Sequence, residues 1–502
     1  MVTRSDPQDD SGAGAEQAVP AQTRALRPYD AASPIPAPPA ELPASLGALR
    51  ASGHEYRTVK EELRDNLVAR MRSGSEEPRF AGIVGYDDTV LPEVERAILA
   101  GHDMVLLGER GQGKTRLIRT MVELLDEWTP VIAGSELNEH PYLPLTPASR
   151  RLVEELGDDL PIAWRHQSER YGEKLATPDT SVGDLIGDVD PIRIAEGRTL
   201  GDPDTIHFGL VPRTNRGIFA LSELPDLAER IQVALLNVLE ERDIQVRGYQ
   251  LRLPLDLLLV ASANPEDYTN RGHIITPLKD RFGAEVRTHY PLDLELEMDL
   301  VRQEAALAAE VPSHVLEVVA RFTRAVRESP SVDPSSGVSA RFAVAAAETV
   351  AAGALRRGAL VGEDAPVARV GDTESVTSTL RGKVEFESGE EGREVEVLGH
   401  LLRTAVADTF RAHLSGLDLS GFTDLVAEGA TIETGELVSA TDVLGQVGTI
   451  PGLAKVMERL GLGDAPTPGQ AAAAIELVLE GLHLTRRLAK DVGDGRSLYG
   501  AR

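Results

Sequence analysis

Eight consecutive residues, Gly108-Glu109-Arg110-Gly111-Gln112-Gly113-Lys114-Thr115, satisfy every fixed position of G-x-x-x-x-G-K-[ST]. Each residue type has a chemical reason to be there. Gly108, Gly111 and Gly113 let the backbone turn its N–H groups inward around phosphates, at a helix N-terminus whose dipole favours an anion. Lys114 adds a point charge to the β- and γ-phosphates, and the Thr115 hydroxyl is a ligand for Mg²⁺. The flanks agree: the apolar run Met104-Val105-Leu106-Leu107 enters the loop, and Arg116-Leu117-Ile118-Arg119 continues it as a helix. Residues 108–116 are therefore expected to cradle Mg-ATP. A chance glycine-rich turn before a helix would not come with both flanks.

Such a loop needs a second strand that presents carboxylates to the metal and to the attacking water. Gly217-Ile218-Phe219-Ala220-Leu221-Ser222-Glu223-Leu224 is an apolar run ending in Ser-Glu. Ser222 and Glu223 are therefore the candidates to face the metal and the water. A hydroxyl accepts a hydrogen bond from a metal-bound water but carries no charge. Either hydrolysis persists on Thr115 and the phosphates, or it is slow and nucleotide acts as a structural switch. A third apolar run, Leu257–Ala263, ends in Asn264-Pro265, where a neutral amide can register a terminal phosphate. A plain Asn-Pro turn is the alternative.

With these residues in place the chain resembles the AAA+ superfamily, in particular the branch holding the MoxR ATPases and the I subunit of magnesium chelatase. In that branch the second strand usually ends Asp-Glu, the Asp holding Mg²⁺ through water and the Glu orienting or deprotonating the attacking water; the resemblance thus gives Glu223 the second role, and Ser222 departs from the first. The resemblance implies that Asn264 is sensor 1. It also makes Arg281, in Pro277-Leu278-Lys279-Asp280-Arg281-Phe282-Gly283, an arginine finger reaching a neighbour's γ-phosphate. Pairing with Asp280 or Glu285 in its own subunit is the competing role. Arg341, in Val338-Ser339-Ala340-Arg341, would be sensor 2 rather than one arginine of a solvated face. Phe80–Tyr86 resembles the segment preceding the loop that packs on adenine, which makes Val84 and Gly85 candidate nucleotide contacts; Ile83–Gly85 as plain core is the alternative. Family members assemble as rings, usually hexamers, and act on a partner with a von Willebrand factor A domain. Both are implied here by resemblance alone.

The elements that must position these groups read as α/β: a P-loop core of parallel sheet flanked by helices, then an α-helical lid with a small β insert. Strands are expected at Met104–Leu107, Pro130–Ala133, Ile218–Leu221, Leu257–Ser262 and Ala284–Thr288, and a helix at Val59–Arg72. Residues 1–55 are Pro/Ala-rich, with SPIPAPPAELPAS, and are expected to be a disordered tail. The core spans 56–292, with an insertion at about 135–215 that is too long for a plain connection. Its end, Asp188 to Pro212, is like the loop inserted into helix 2 in this branch, and Arg242–Arg252 reads as a hairpin turning near Gly248. The lid follows at 293–362. Residues 363–398 are expected as a β insert from the alternation in Lys383–Glu387 and Glu394–Leu398, and 399–502 as the rest of the lid. Thr467-Pro468-Gly469-Gln470 reads as a capping box opening a helix.

Composition narrows the remaining choices. The formal net charge is -28 over 502 residues, which disfavours general binding to a phosphate backbone. With no cysteine, thiolate metal sites and Cys nucleophiles are excluded. No H-E-x-x-H or G-x-S-x-G is present. The polar N-terminus lacks the apolar core of a signal peptide, and no apolar run is long enough to span a bilayer, so the expectation is a cytoplasmic protein without membrane contact. The functions left open are an ATP-hydrolysing motor that remodels a partner, the ATPase subunit of magnesium chelatase proper, and an ATP-gated scaffold.

Overall fold

The computed structural model describes residues 34–502, apart from 191, 193–194, 196–204, 241–243, 247–248, 252, 266–272, 334–336, 449 and 464. Strand β1 (Met104–Leu107) leads into the helix Lys114–Thr120. Strands β2 (Trp128–Ile132) and β3 (Ile162–His166) pair antiparallel with each other, outside the central sheet. β4 (Tyr171–Leu175) follows, then the short pair β5 (Gly187–Val189) and β6 (Ile206–Phe208), then β7 (Gly217–Ser222). β8 (Ile244–Val246) pairs with β9 (Tyr249–Leu251) before β10 (Leu257–Ala263) and β11 (Ala284–Arg287).

The central sheet is parallel throughout, in the order β11-β1-β10-β7-β4. β1, β7 and β10 are buried along their whole length, as strands covered on both faces must be, and this is why they read as unbroken apolar runs. One face carries Leu106, Ile218, Ala220 and Val260 against Leu117 and Ile118 of the helix after the loop. The other carries Leu107, Phe219, Leu221 and Ala261 against Ile231 and Leu235 of the helix Glu229–Glu240. The chain leaves β1 for the far edge, steps back through β4, β7 and β10, and then crosses to β11. Loops after β1, β7 and β10 are thereby gathered at one end of the sheet, where ligands bind in such folds.

Three expectations are corrected. The second strand of the central sheet is β4, inside the stretch 135–215 taken for insertion. β2, at the expected 130–133, lies outside that sheet. β4 (YGEKL) is an edge strand of mixed polarity, so it lacks the apolar run that marks β7 and β10. Secondly, the stretch 1–55 is not wholly a tail. Leu46–Ala51 is a helix capped by Ser45, with Leu46 packed beside Ile132 and Leu160, and Trp164 Nε1 donates to the Pro43 carbonyl at 2.8 Å. Two leucines one turn apart suffice to dock a short helix that composition alone hides. The stretch 1–33 lies outside the described residues.

The third correction lies in the lid. Residues 363–398 hold no strand. They contain the helix Glu374–Leu380 and the start of the helix Glu394–Leu414. The short V-E-V alternation is outweighed by Leu398, Leu402, Ala405 and Val406, a helical stripe buried in the lid core. The lid's sheet is instead β12 (Ile432–Gly435), β13 (Ala489–Gly493) and β14 (Arg496–Gly500), antiparallel in the order β12-β14-β13. The helices Leu294–Glu304, Ser313–Glu328, Ala340–Val361 and Pro468–Leu484 share one apolar core with it. The capping box at Thr467 and Gln470 forms as read, opening a helix buried on nearly every side.

Candidate active site

β1 ends at Leu107, and the Gly108 amide donates to the Ala263 carbonyl at 3.1 Å, so the loop leaves the sheet beside the end of β10. Gly108 is compelled by space: a Cβ there would lie 1.9 Å from Thr288 Oγ1 and 2.3 Å from Gln112 Oε1. Gly111 and Gly113 both take φ +76°, the left-handed region that L side chains avoid. Thr288 Oγ1 donates to Gln112 Oε1 at 2.8 Å, and the Tyr86 hydroxyl bonds the Gln112 carbonyl. The loop is thus braced from both flanks by the protein's own side chains.

Lys114 is buried, and its three ammonium protons meet three acceptors: the Gly108 carbonyl, the Glu109 carbonyl at 2.8 Å and Asn264 Oδ1 at 2.9 Å. Asn264 Nδ2 in turn donates to Glu223 Oε2 at 2.8 Å. The expected base, amide and loop lysine therefore form one continuous hydrogen-bonded line. Glu223 is held at φ 57°, ψ 47°, at the start of the 3-10 turn Leu224–Asp226. A left-handed non-glycine residue costs about 1–3 kcal/mol and persists where surrounding structure dictates it. Here the turn is closed by the Asp226 amide on the Glu223 carbonyl at 2.9 Å.

Ser222 is 8% exposed, and its Oγ has no hydrogen-bond partner among the described residues. Strand alternation sets it on the face of Ile218 and Ala220, which pack with the helix that carries Thr115. A buried hydroxyl without a partner, next to Glu223 and on the loop-helix side, is suited to a water of a hydrated cation. Among the described residues no group of three or more His, Asp or Glu forms a ready metal cage. Thr115 and Ser222 thus fit a Mg²⁺ that is held mainly by phosphates and water, and do not fit one held by protein carboxylates.

The arginines separate. Arg116 pairs with Glu304 of the lid helix Leu294–Glu304, so its side chain joins core to lid rather than lining the cradle. Arg110 is exposed, and its carbonyl accepts from the Tyr290 hydroxyl at 2.8 Å. Arg281, with its side chain 38% exposed, pairs with Glu240 at 2.6 Å and Asp280 at 3.6 Å. Glu285, the other expected partner, is taken by Lys279 and Arg287 at 3.2 Å each. Arg341 is exposed in the first turn of Ala340–Val361 and has no ion pair among the described residues. Its helix start nonetheless sits on the loop: a Cβ on Gly111 would fall 1.9 Å from Ser339 Cβ.

Val84 and Gly85 lie between core and lid. A Cβ on Gly85 would touch Leu296 Cδ1 at 3.3 Å, and Gln303 Nε2 donates to the Gly82 carbonyl at 2.9 Å. The two expected hairpins have paired stems, β5 with β6 and β8 with β9. Gly248 lies outside the described residues. Sequence reasoning missed Thr288, Tyr290 and Arg327. Thr288 and Tyr290 directly follow β11 and reach back to the phosphate loop. A polar residue and an aromatic just past a strand that flanks the loop were the available signal.

Comparison with known proteins bears on residues around this site. A family model described as the Sigma-54 interaction domain matches residues 199–278, which carry Glu223 and Asn264. The magnesium-chelatase subunit ChlI of Nostoc sp. is 28% identical over 240 residues, 47% of this chain and 60% of that protein. The magnesium-chelatase 38 kDa subunit of Rhodobacter capsulatus is 29% identical over 243 residues, 47% of this chain and 63% of that one. The chain thus spans about 60% of the length of these curated relatives. A solved complex of BchI and BchD of magnesium chelatase matches at 22% identity, covering 64% of this chain and 98% of that one, with a TM-score of 0.34. That score is too low to bear on the fold, which rests on the strand order itself. By its phosphate-loop motif and its sheet order the chain has an AAA+ P-loop fold, and over about half its length it is similar to the I subunit of magnesium chelatase.

Proposed function

We propose that the chain binds Mg-ATP at Gly108–Thr115, hydrolyses it with Glu223 acting on the attacking water, and uses the cycle in a ring of like subunits to remodel or activate a partner protein. The observation that carries this reading is the line from Lys114 Nζ through Asn264 to Glu223, with links of 2.9 and 2.8 Å. A γ-phosphate arriving at Lys114 competes with Asn264 Oδ1 for the ammonium. The amide that holds Glu223 is then free to turn toward phosphate or water, and the carboxylate is released with it. One switch thereby couples occupancy of the loop to the state of the base.

Mg²⁺, when bound, neutralises charge developing on the phosphates. Thr115 would hold it directly and Ser222 through water, so hydrolysis persists without a carboxylate in the Ser222 position. Arg281 is proposed as the finger for a neighbouring subunit: it sits at the surface, and its exposed pairing with Glu240 is weak enough to exchange for a phosphate. Arg341 reads the terminal phosphate from the lid. Ring assembly, six subunits and a von Willebrand factor A domain partner follow from the family resemblance, and a cytoplasmic location is proposed with them. Among the described residues no helix is long and apolar enough to cross a membrane. The charge of -28 disfavours a nucleic-acid track.

Two further readings have an observation each. The names of the relatives favour the ATPase subunit of magnesium chelatase itself. The partnerless Ser222 hydroxyl favours an ATP-gated scaffold with little turnover. Phosphate release and particle size, measured together with Mg-ATP on wild type and Glu223→Gln, separate them from the main proposal. The motor predicts turnover in the wild type, and assembly without turnover in the variant. ATP-dependent assembly with no phosphate release from the wild type selects the scaffold, and a chain that binds no nucleotide overturns all three. Activity appearing only with a porphyrin and the other chelatase subunits selects the chelatase.

A further inference from the structure

Beside the Arg116–Glu304 pair and the contact of Ser339 with Gly111, one aromatic side chain and one guanidinium join the lid to the phosphate loop. Tyr290 lies just past β11 and makes its contact with the loop from there, its hydroxyl donating to the Arg110 carbonyl at 2.8 Å. Two residues earlier, Thr288 holds both the Leu107 carbonyl, through its amide at 2.9 Å, and Gln112. The backbone that carries Tyr290 is thus an extension of the sheet ladder and is fixed relative to the loop.

Above the Tyr290 ring, at 4.1 Å from its centre, lies the guanidinium carbon of Arg327, on the lid helix Ser313–Glu328. Every edge of that guanidinium is used. Nη1 and Nη2 donate to Glu297 at 3.0 and 3.2 Å, and Nε donates to the Val338 carbonyl at 3.1 Å. Glu297, on the first lid helix, is fully buried, so the fork is rigid and its charge is matched. Val338 directly precedes Ser339, the residue whose Cβ presses on Gly111, and Arg341 follows two residues later. One planar cation therefore orients three lid segments and seats them, through a single ring, on the loop.

We infer that Tyr290 and Arg327 are positioning residues for nucleotide turnover: they set the height and angle at which Ser339 and Arg341 stand over the phosphate loop. This rests on the proposed ATPase function, in which Arg341 reads the terminal phosphate. Lid segments free to tilt would carry Arg341 off that phosphate while the cradle of Gly108–Thr115 stayed whole. Discrimination of ATP from ADP, and turnover at saturating ATP, would then decline while ADP affinity held.

Two substitutions of the half-buried Tyr290 test this without stranding the buried Glu297. Tyr290→Phe keeps the ring beneath Arg327 and removes the bond to the loop; Tyr290→Leu removes both. Each contact is worth about a fivefold change on the scale of a single neutral hydrogen bond or cation–π pair. Turnover at saturating ATP is therefore expected to fall about fivefold in Tyr290→Phe and about 25-fold in Tyr290→Leu, with the ATP-over-ADP binding ratio falling in parallel. Because the effect runs through Arg341, adding Tyr290→Leu to Arg341→Ala should cost almost nothing further. Hydrogen exchange at the Phe342 amide, held by the Ser339 carbonyl at 2.8 Å, reads the seating of the lid without any nucleotide. It should quicken in both variants. Normal nucleotide preference and exchange in both Tyr290 variants, or full additivity with Arg341→Ala, overturns the inference and leaves the ATPase proposal standing. A wild-type chain that binds no nucleotide removes the ATPase proposal, while the exchange measurement still decides whether the lid is seated as described.

Discussion

Gly111 and Gly113 share the same backbone angle, φ +76°, three and one residues before Lys114, yet face different surroundings. A Cβ on Gly113 would meet nothing within 4 Å, whereas one on Gly111 would lie 1.9 Å from Ser339 Cβ and 2.8 Å from Ser339 Cα. Alanine at either position incurs the left-handed penalty, about 1–2 kcal/mol. At Gly111 it also collides with lid backbone, which no side-chain rotation relieves. Restoring ordinary contact near 3.5–4 Å requires the start of Ala340–Val361 to lift by about 2 Å, and overpacking of that kind typically costs about 1–3 kcal/mol. The docked lid should therefore be disfavoured by roughly 5- to 150-fold in Gly111→Ala relative to Gly113→Ala. Hydrogen exchange of the ligand-free protein reads this directly. The Phe342 amide should exchange faster in Gly111→Ala by that factor, and at the wild-type rate in Gly113→Ala. Equal exchange in the two variants would refute the close seating of Ser339 on the loop, and with it the argument for why glycine stands at 111.

Other outcomes follow from the same geometry. Glu223→Gln should keep ATP binding, measured by a fluorescent analogue, and lose phosphate release by about 100-fold or more, the range of a positioned base. Arg281→Ala should lower turnover by about 10³-fold in assembled protein, as removal of an arginine finger does. Glu240→Gln, which frees Arg281 from its 2.6 Å partner, should raise turnover modestly and only at concentrations where subunits associate; a fall would mean that the pair is structural. His140 is held near pKa 3, against an ordinary 6.5, first by burial and then by the charge of Arg216. The unfolded chain takes up that proton and the folded one does not. Stability from this group is therefore whole above pH 6.5 and is lost as pH falls toward 3, by about 1.4 kcal/mol per pH unit. Urea midpoints should fall more steeply on acidification in the wild type than in His140→Gln; parallel slopes would exclude His140 as the source.

The site was legible where chemistry constrains residue type and the chain is locally regular. Gly108–Thr115 could be read from spacing alone, since glycine takes φ +76° at no steric cost and leaves room for a backbone closed around phosphate. Glu223 and Asn264 were legible because β7 and β10 are apolar along their whole length and stop at these polar residues. The burial that makes a parallel strand continuous also makes its end conspicuous. Edge strand β4 had no such contrast, because water on one side permits Gly172, Glu173 and Lys174 within it. The docked helix Leu46–Ala51 and the late lid sheet were hidden for a related reason: their partners, Leu160 for one and β14 for β12, are distant in sequence.

By itself, the order of amino acids determined which groups are present: a glycine-rich loop with its lysine and threonine, a strand-end hydroxyl and carboxylate, an amide, and the arginines of the lid and of the segment after β10. Those depend on side-chain chemistry and on periodicities of a few residues. Only the tertiary structure decided who meets whom. It joined Lys114, Asn264 and Glu223 into one line, gave Arg116 to Glu304 and Arg281 to Glu240, and set Tyr290 beneath Arg327. Such pairings depend on how strands from remote parts of the chain are ordered in the sheet and how the lid packs down upon it. Contact energies of about 1 kcal/mol select among them only after the large apolar burial of the two cores has fixed the backbone.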